Sequence, residues 1–138
     1  MGQRSFVASL SALCLMFATS LFAAGEQTTS RAVAAKLKNP VAVNAASIAS
    51  GQAVFQKYCR FCHGATGKGD SPSAPKTMKP SNLADATWDR GGSDGEIFVV
   101  IQEGAGPEYL MKGLKGKLTD QDTWHLVNYV RSLGSVQK

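Results

Sequence analysis

The sequence predicts an all-α domain, and three observations carry that prediction. Three stretches, near residues 47–59, 93–104 and 119–134, place apolar side chains at helical spacing between residues that cap helices. The segments between them, 64–92 and 104–118, are rich in glycine and proline and cannot hold a long helix. No convincing alternation of apolar and polar residues marks a strand. Three main helices joined by long loops are therefore expected.

The chain opens with a segment of another kind. Of its 138 residues, Gln3 and Arg4 form a short polar, positive start, and Phe6 to Ala24 then runs without a charge up to Gly25 and Glu26. A positive start, an apolar middle and a small-residue end make a secretory signal peptide. It is expected over residues 1–24, with cleavage near Ala23 or Ala24. Left uncleaved, the same run is barely long enough for a membrane span. Membrane attachment is therefore expected only if the segment stays. Cys14 lies inside it and reads as an ordinary apolar-region residue.

Residues 25–46 are rich in Ala, Val and Lys and broken by Asn39-Pro40, so they read as a leader or linker before a domain at 47–138. The whole chain carries 15 Lys and Arg against 10 Asp and Glu, a net +5; residues 1–24 contribute only Arg4, leaving +4 after it. This mild excess names no partner. Export gives no support to a nucleic-acid function.

Ser47 or Ser50 can cap the first helix, which should run to about Cys59 with Ile48, Ala49, Ala53, Val54, Phe55 and Tyr58 as its apolar stripe. Gly51 weakens that helix by up to about 1 kcal/mol, which implies that something packs closely against it. Ser93 and Glu96 form a capping box for the second helix, which carries Ile97, Phe98, Val100 and Ile101 and stops at Gly104. Thr119-Asp120-Gln121-Asp122 opens the third with acidic side chains at its positive end. Trp124, Leu126, Val127, Tyr129, Val130 and Leu133 fill its apolar positions, and Gly134 is expected to end it.

Beyond Cys14 the chain has two cysteines, both in Cys59-Arg60-Phe61-Cys62-His63. This C-x-x-C-H run is the attachment pattern of c-type haem. On one helical turn Cys59 and Cys62 stand at i and i+3 and share a face. There they can form thioethers with the two vinyl groups of a porphyrin, while His63 turns an imidazole nitrogen to the iron. A zinc site would need further ligands that the sequence lacks, and a thioredoxin-like pair would follow a strand, not a helix. Haem also accounts for the long loop 64–92, since a large apolar cofactor supplies core that a domain of this size lacks.

With His63 on one side of the iron, the opposite position could be filled by Met78, Met111, His125 or a lysine, or stay open. Met111 lies just ahead of the last helix and can approach from the other side. Met78 reads as packing, and His125 as a surface or packing residue of the last helix. Pro75 or Pro80 could offer the carbonyl that orients the His63 ring.

The chain resembles the class I c-type cytochromes of the small bacterial monohaem kind, over about residues 47–134. Cys59, Cys62, His63 and Gly64 match the family's attachment motif, Gly51 and Phe55 its first helix, and Leu126 with Tyr129 its last. Met111-Lys112-Gly113-Leu114-Lys115-Gly116-Lys117-Leu118-Thr119-Asp120 resembles its methionine-ligand loop, with Lys112 where proline often follows the methionine. The resemblance implies a cytochrome c fold wrapped around one haem c, bound through Cys59 and Cys62, with His63 and Met111 as axial ligands. It also implies that the first and last helices cross closely. Phe61, Leu83, Trp88, Ile97 and Phe98 are candidates for the haem wall or for ordinary core, and Trp88 or Arg90 for contact with a propionate.

Iron with both axial positions filled suits one-electron transfer and not substrate turnover, so a non-enzymatic electron carrier in the periplasm is expected. Its partners would be redox proteins such as a dehydrogenase or a terminal oxidase. Lys112, Lys115 and Lys117 beside Met111, with Lys76 and Lys79 in the other loop, could steer an acidic partner or could simply be solvated. Two other readings stand: an open-site gas-binding or sensory haem protein, and a dithiol oxidoreductase using Cys59 and Cys62 without haem.

Overall fold

A computed structural model describes residues 31–105 and 111–135. The expected signal segment lies outside the described residues. The chain divides into one unit of residues 1–33 and a second from Ala34 to Lys138. The second unit holds the helices α1 (Ala45–Tyr58), α2 (Arg60–His63), α3 (Asp94–Glu103) and α4 (Asp120–Ser135). Among the described residues there is no strand, only isolated bridges between Gly104 and Lys112 and between Lys115 and Leu118. The expected three main helices are α1, α3 and α4, and α2 is the single turn that carries the cysteines.

α1 begins earlier than expected. Its cap is Asn44, not Ser47 or Ser50: the Asn44 side chain accepts from the Ser47 amide at 2.8 Å, and the Ser47 hydroxyl accepts from the Asn44 amide at 3.2 Å. Both residue types cap well. Asn44 wins because Ser47, three residues on, completes the reciprocal pair.

The crossing of α1 with α4 is the main contact between helices. Gly51 makes it possible. A Cβ at Gly51 would run into the His125 carbonyl and come 2.8 Å from Tyr129 Cβ, so only glycine lets the two backbones approach this far. One turn on, Phe55 is fully buried and its ring lies 5.2 Å from that of Tyr129. Burying a phenyl ring this completely contributes about 2–3 kcal/mol. Leu126, Val127, Val130, Ile97, Ile101 and Trp124 complete the core.

The segment ahead of α1 is packed, not the loose linker expected as far as residue 46. Asn128, on α4 and 1% exposed, donates to Val41 O at 3.2 Å, Ala42 O at 3.4 Å and Ser47 Oγ at 3.1 Å, and accepts from Asn39 Nδ2 at 2.8 Å. A buried carboxamide needs such partners, and here residues 39–47 supply them. The packed unit therefore begins at Ala34, itself 4% exposed, and not at 47.

α3 carries the expected capping box, with Ser93 and Glu96 bonded reciprocally, and ends at Gly104 with φ +90°. α4 opens on a similar pair: the Asp122 amide donates to Thr119 Oγ1 at 3.1 Å and the Thr119 hydroxyl to Asp122 Oδ2 at 2.7 Å. Gly134 does not end α4, which runs on to Ser135. Arg131 fastens α4 to the start of α3 through Asp94 Oδ1 at 2.8 Å and the Gly92 carbonyl, with its guanidinium over the Trp88 ring.

Candidate haem site

α2 sets the site's geometry. The Cys62 and His63 amides both donate to the Cys59 carbonyl, at 3.1 and 2.9 Å. This is one closed helical turn, and it places Cys59 and Cys62 on one side as their spacing predicts. Both thiols are free and half-buried. Burial, with the neighbouring Cys62, pushes the Cys59 thiol up to about 12. A reactive dithiol needs the opposite, a thiol pKa lowered toward neutrality. Burial therefore works against Cys59 acting as a thiolate nucleophile.

His63 is buried, and its Nδ1 lies 3.0 Å from the Ser81 carbonyl. A carbonyl only accepts, so Nδ1 carries the proton and Nε2 keeps its lone pair. Burial lowers the His63 pKa and favours this neutral form, although the Ser81 bond acts in the opposite sense. Two thiols on one side of a turn, followed by a neutral imidazole held by its other nitrogen, are the donor set that haem c requires. Among the described residues no group of three or more His, Cys, Asp or Glu could hold a bare metal ion.

The orienting carbonyl belongs to Ser81 and not to Pro75 or Pro80. The loop after α2 folds back so that the Gly69 amide donates to His63 O at 2.9 Å and the Leu83 amide to Gly67 O at 2.7 Å. Gly69, with φ +74°, lies so close to Pro80 that a Cβ would overlap the Pro80 carbonyl. With the Pro80 carbonyl turned toward Gly69, the next one along the chain meets the imidazole. Met78 belongs to the same loop, three residues before Ser81, and its Sδ lies 4.0 Å from Cys62 Sγ.

Met111 is half-buried and begins the described part of the loop before α4. Main-chain bonds join this loop to the end of α3. The Ala105 amide donates to Met111 O at 3.2 Å, the Leu114 amide to Ile101 O at 2.9 Å and the Lys115 amide to Gln102 O at 3.0 Å. Lys112, Lys115 and Lys117 are exposed, but Lys115 pairs with Glu103 at 2.7 Å.

Of the proposed wall residues, Ile97 is core, and Leu83, Trp88 and Phe98 are half-buried against it, with Phe98 stacked on Trp124 at 4.1 Å. Phe61 is 64% exposed and lies outside the apolar core. Its place between the two cysteines turns it away from the side they share. Two residues that organise the site, Ser81 and Gln102, escaped sequence reasoning, as did Asn128, which holds residues 39–47 against α4 away from the site. Ser81 acts through its main chain, which no side-chain pattern reports.

Residues 46–130 match the family described as cytochrome C oxidase, cbb3-type, subunit III. The chain belongs to that family. It is 34% identical over 87 residues to the cbb3-type cytochrome c oxidase subunit FixP of Rhizobium meliloti, an overlap of 63% of this chain and 28% of that protein. With the CcoP subunit of Rhodobacter capsulatus it is 33% identical over 93 residues, 64% of this chain and 30% of that one. The chain thus spans less than a third of the curated relatives it matches.

Among solved structures, it is similar to the Kuenenia stuttgartiensis reducing HAO-like protein complex Kustc0457/Kustc0458, with TM-score 0.62 and 25% identity over 72% of this chain and 48% of that one. It also resembles the KustC0563 c-type cytochrome, with TM-score 0.51 and 32% identity over 60% and 95% of the two chains. Cytochrome CL of Methylophaga aminisulfidivorans shares the fold, with TM-score 0.54 and 24% identity over 70% and 59%. The domain is therefore an all-α c-type cytochrome of the electron-transfer class, with haem c bound covalently through Cys59 and Cys62.

Proposed function

We propose that this cytochrome holds its iron between His63 and Met111 and acts as a single-electron carrier delivering to a terminal oxidase, without catalysis of its own. The observation that carries the first half is the His63 ring, tied through Nδ1 to Ser81 O at 3.0 Å so that Nε2 is left for the metal. For Met111 the support is the loop's main-chain attachment to α3 and its similarity to methionine-ligand loops. Met78 is the weaker candidate, because its loop is the one that supports His63 from behind and its sulfur lies beside Cys62.

The bound haem supplies Fe(III)/Fe(II) cycling, and a thioether ligand favours the reduced state and raises the potential. The protein's part is to exclude water and hold both ligands still. A terminal-oxidase partner is supported by the relatives, which are cbb3-type oxidase subunits. Among the described residues no helix is long and apolar enough to cross a membrane. The signal-like residues 1–24 support delivery to the periplasm, with anchoring only if they remain.

Replacing Met111 by Ala tests the ligand. The oxidised protein should lose its sulfur-to-iron charge-transfer band and its reduction potential should fall. Retention of both would assign the position to another residue, and a parent that binds carbon monoxide readily would favour the open-site reading.

A further inference from the structure

Gln102 is a polar residue in the last turn of α3, yet it is only 6% exposed. Its Nε2 donates to Thr123 Oγ1 at 2.6 Å, in the first turn of α4, where Thr123 is fully buried. Its main-chain carbonyl accepts from the Lys115 amide at 3.0 Å, and the carbonyl before it, on Ile101, accepts from Leu114 at 2.9 Å. One residue thus touches both elements that bracket the Met111 loop and the loop itself.

The contact is close on every side. A Cβ at Gly113 would overlap the Gln102 carbonyl, and one at Gly104 would come 2.8 Å from both Met111 O and Gly113 N. The loop therefore has no room to slide along α3. What remains is rotation of the end of α3 against α4, and the Gln102–Thr123 bond opposes it. Most helix-end glutamines point to water; burying one is costly unless its amide is satisfied.

We propose that Gln102 is a positioning residue that holds Met111 at the iron, by locking the α3 end and its attached loop to the first turn of α4. The proposal rests on Met111 as the distal ligand. Met111 binds the iron through a soft, neutral sulfur, so a small loss of loop placement lets an external ligand compete. Without the bond to Thr123, the closed state loses one buried hydrogen bond relative to any state in which the loop has moved away.

The test is imidazole binding to the oxidised holoprotein, read by its spectrum. Gln102→Leu keeps the volume and removes the bond, and Thr123→Val removes the same bond from the other helix. Each should raise imidazole affinity about tenfold, the order expected for one buried hydrogen bond, and weaken the sulfur-to-iron band. Should Gln102→Leu fail to hold haem, Thr123→Val carries the test.

Asn128→Ala is the control. It removes a buried polar hub of α4 that bonds only to residues 39–47, so it should lower stability and leave imidazole affinity unchanged. The proposal is overturned if Gln102→Leu and Thr123→Val stay within twofold of the parent. It is overturned equally if Asn128→Ala raises affinity as much as they do. Failure of the ligand reading looks different: Met111→Ala would then match the parent in both band and affinity.

Discussion

At Gly69 the absence of a side chain decides where a carbonyl on the far side of the same loop can point. The residue has φ +74°, and its missing Cβ leaves space for the Pro80 carbonyl, so that the following Ser81 carbonyl is free to meet His63 Nδ1. Gly69→Ala combines a left-handed backbone with steric overlap and should lower stability by about 3 kcal/mol, seen in the denaturation midpoint. It should also raise the reduction potential, because an imidazole that loses its acceptor donates less strongly to Fe(III). A potential equal to the parent's would mean that the Ser81 bond survives the substitution. The thiols and His63 were legible in the sequence because their geometry is local, three residues and one turn. Ser81 was not, because its role belongs to a main-chain oxygen 18 residues away.

Among the elements, the α1–α4 crossing was the most legible. Gly51 in an otherwise apolar helical stripe implied a close neighbour, and the His125 carbonyl with Tyr129 is that neighbour. Gly51→Ala should therefore destabilise by about 2–3 kcal/mol despite the better helix propensity of alanine, because the helices must separate to admit a methyl group. An unchanged melting temperature would show that the crossing can relax. Helix starts were less legible. Asn44 and Ser47 both cap well, and only their reciprocal bonding decides the outcome. Gln102 and Asn128 could not be recognised at all, since each reads as an ordinary exposed residue until the other helix or the preceding segment closes over it.

For the whole molecule, the all-α class followed from helix periodicity and from loops too rich in glycine and proline for anything else. The size of the packed unit did not follow, because residues 34–46 lack a periodic pattern and pack through side-chain amides. The surface charge bears on the proposed partner. Lys112 and Lys117 are exposed beside the Met111 loop, while Lys115 is paired with Glu103. Changing Lys112 and Lys117 together to Gln should slow electron transfer to an acidic partner about threefold or more at low salt, with the effect fading as salt rises. Lys115→Gln should do less, since its charge is already partly offset. Equal rates for all variants at low salt would place docking on another face.

The Asn39–Asn128 clasp has a mechanical consequence. It holds the chain against α4 at Asn39, so any leash toward a membrane starts ahead of that residue and not at the first turn of α1. Taking residues 39–44 out of such a leash shortens its maximum reach by on the order of 20 Å. A tethered carrier would then search a smaller volume at a higher effective concentration. Opening the clasp would lengthen the leash without touching a single residue near the haem.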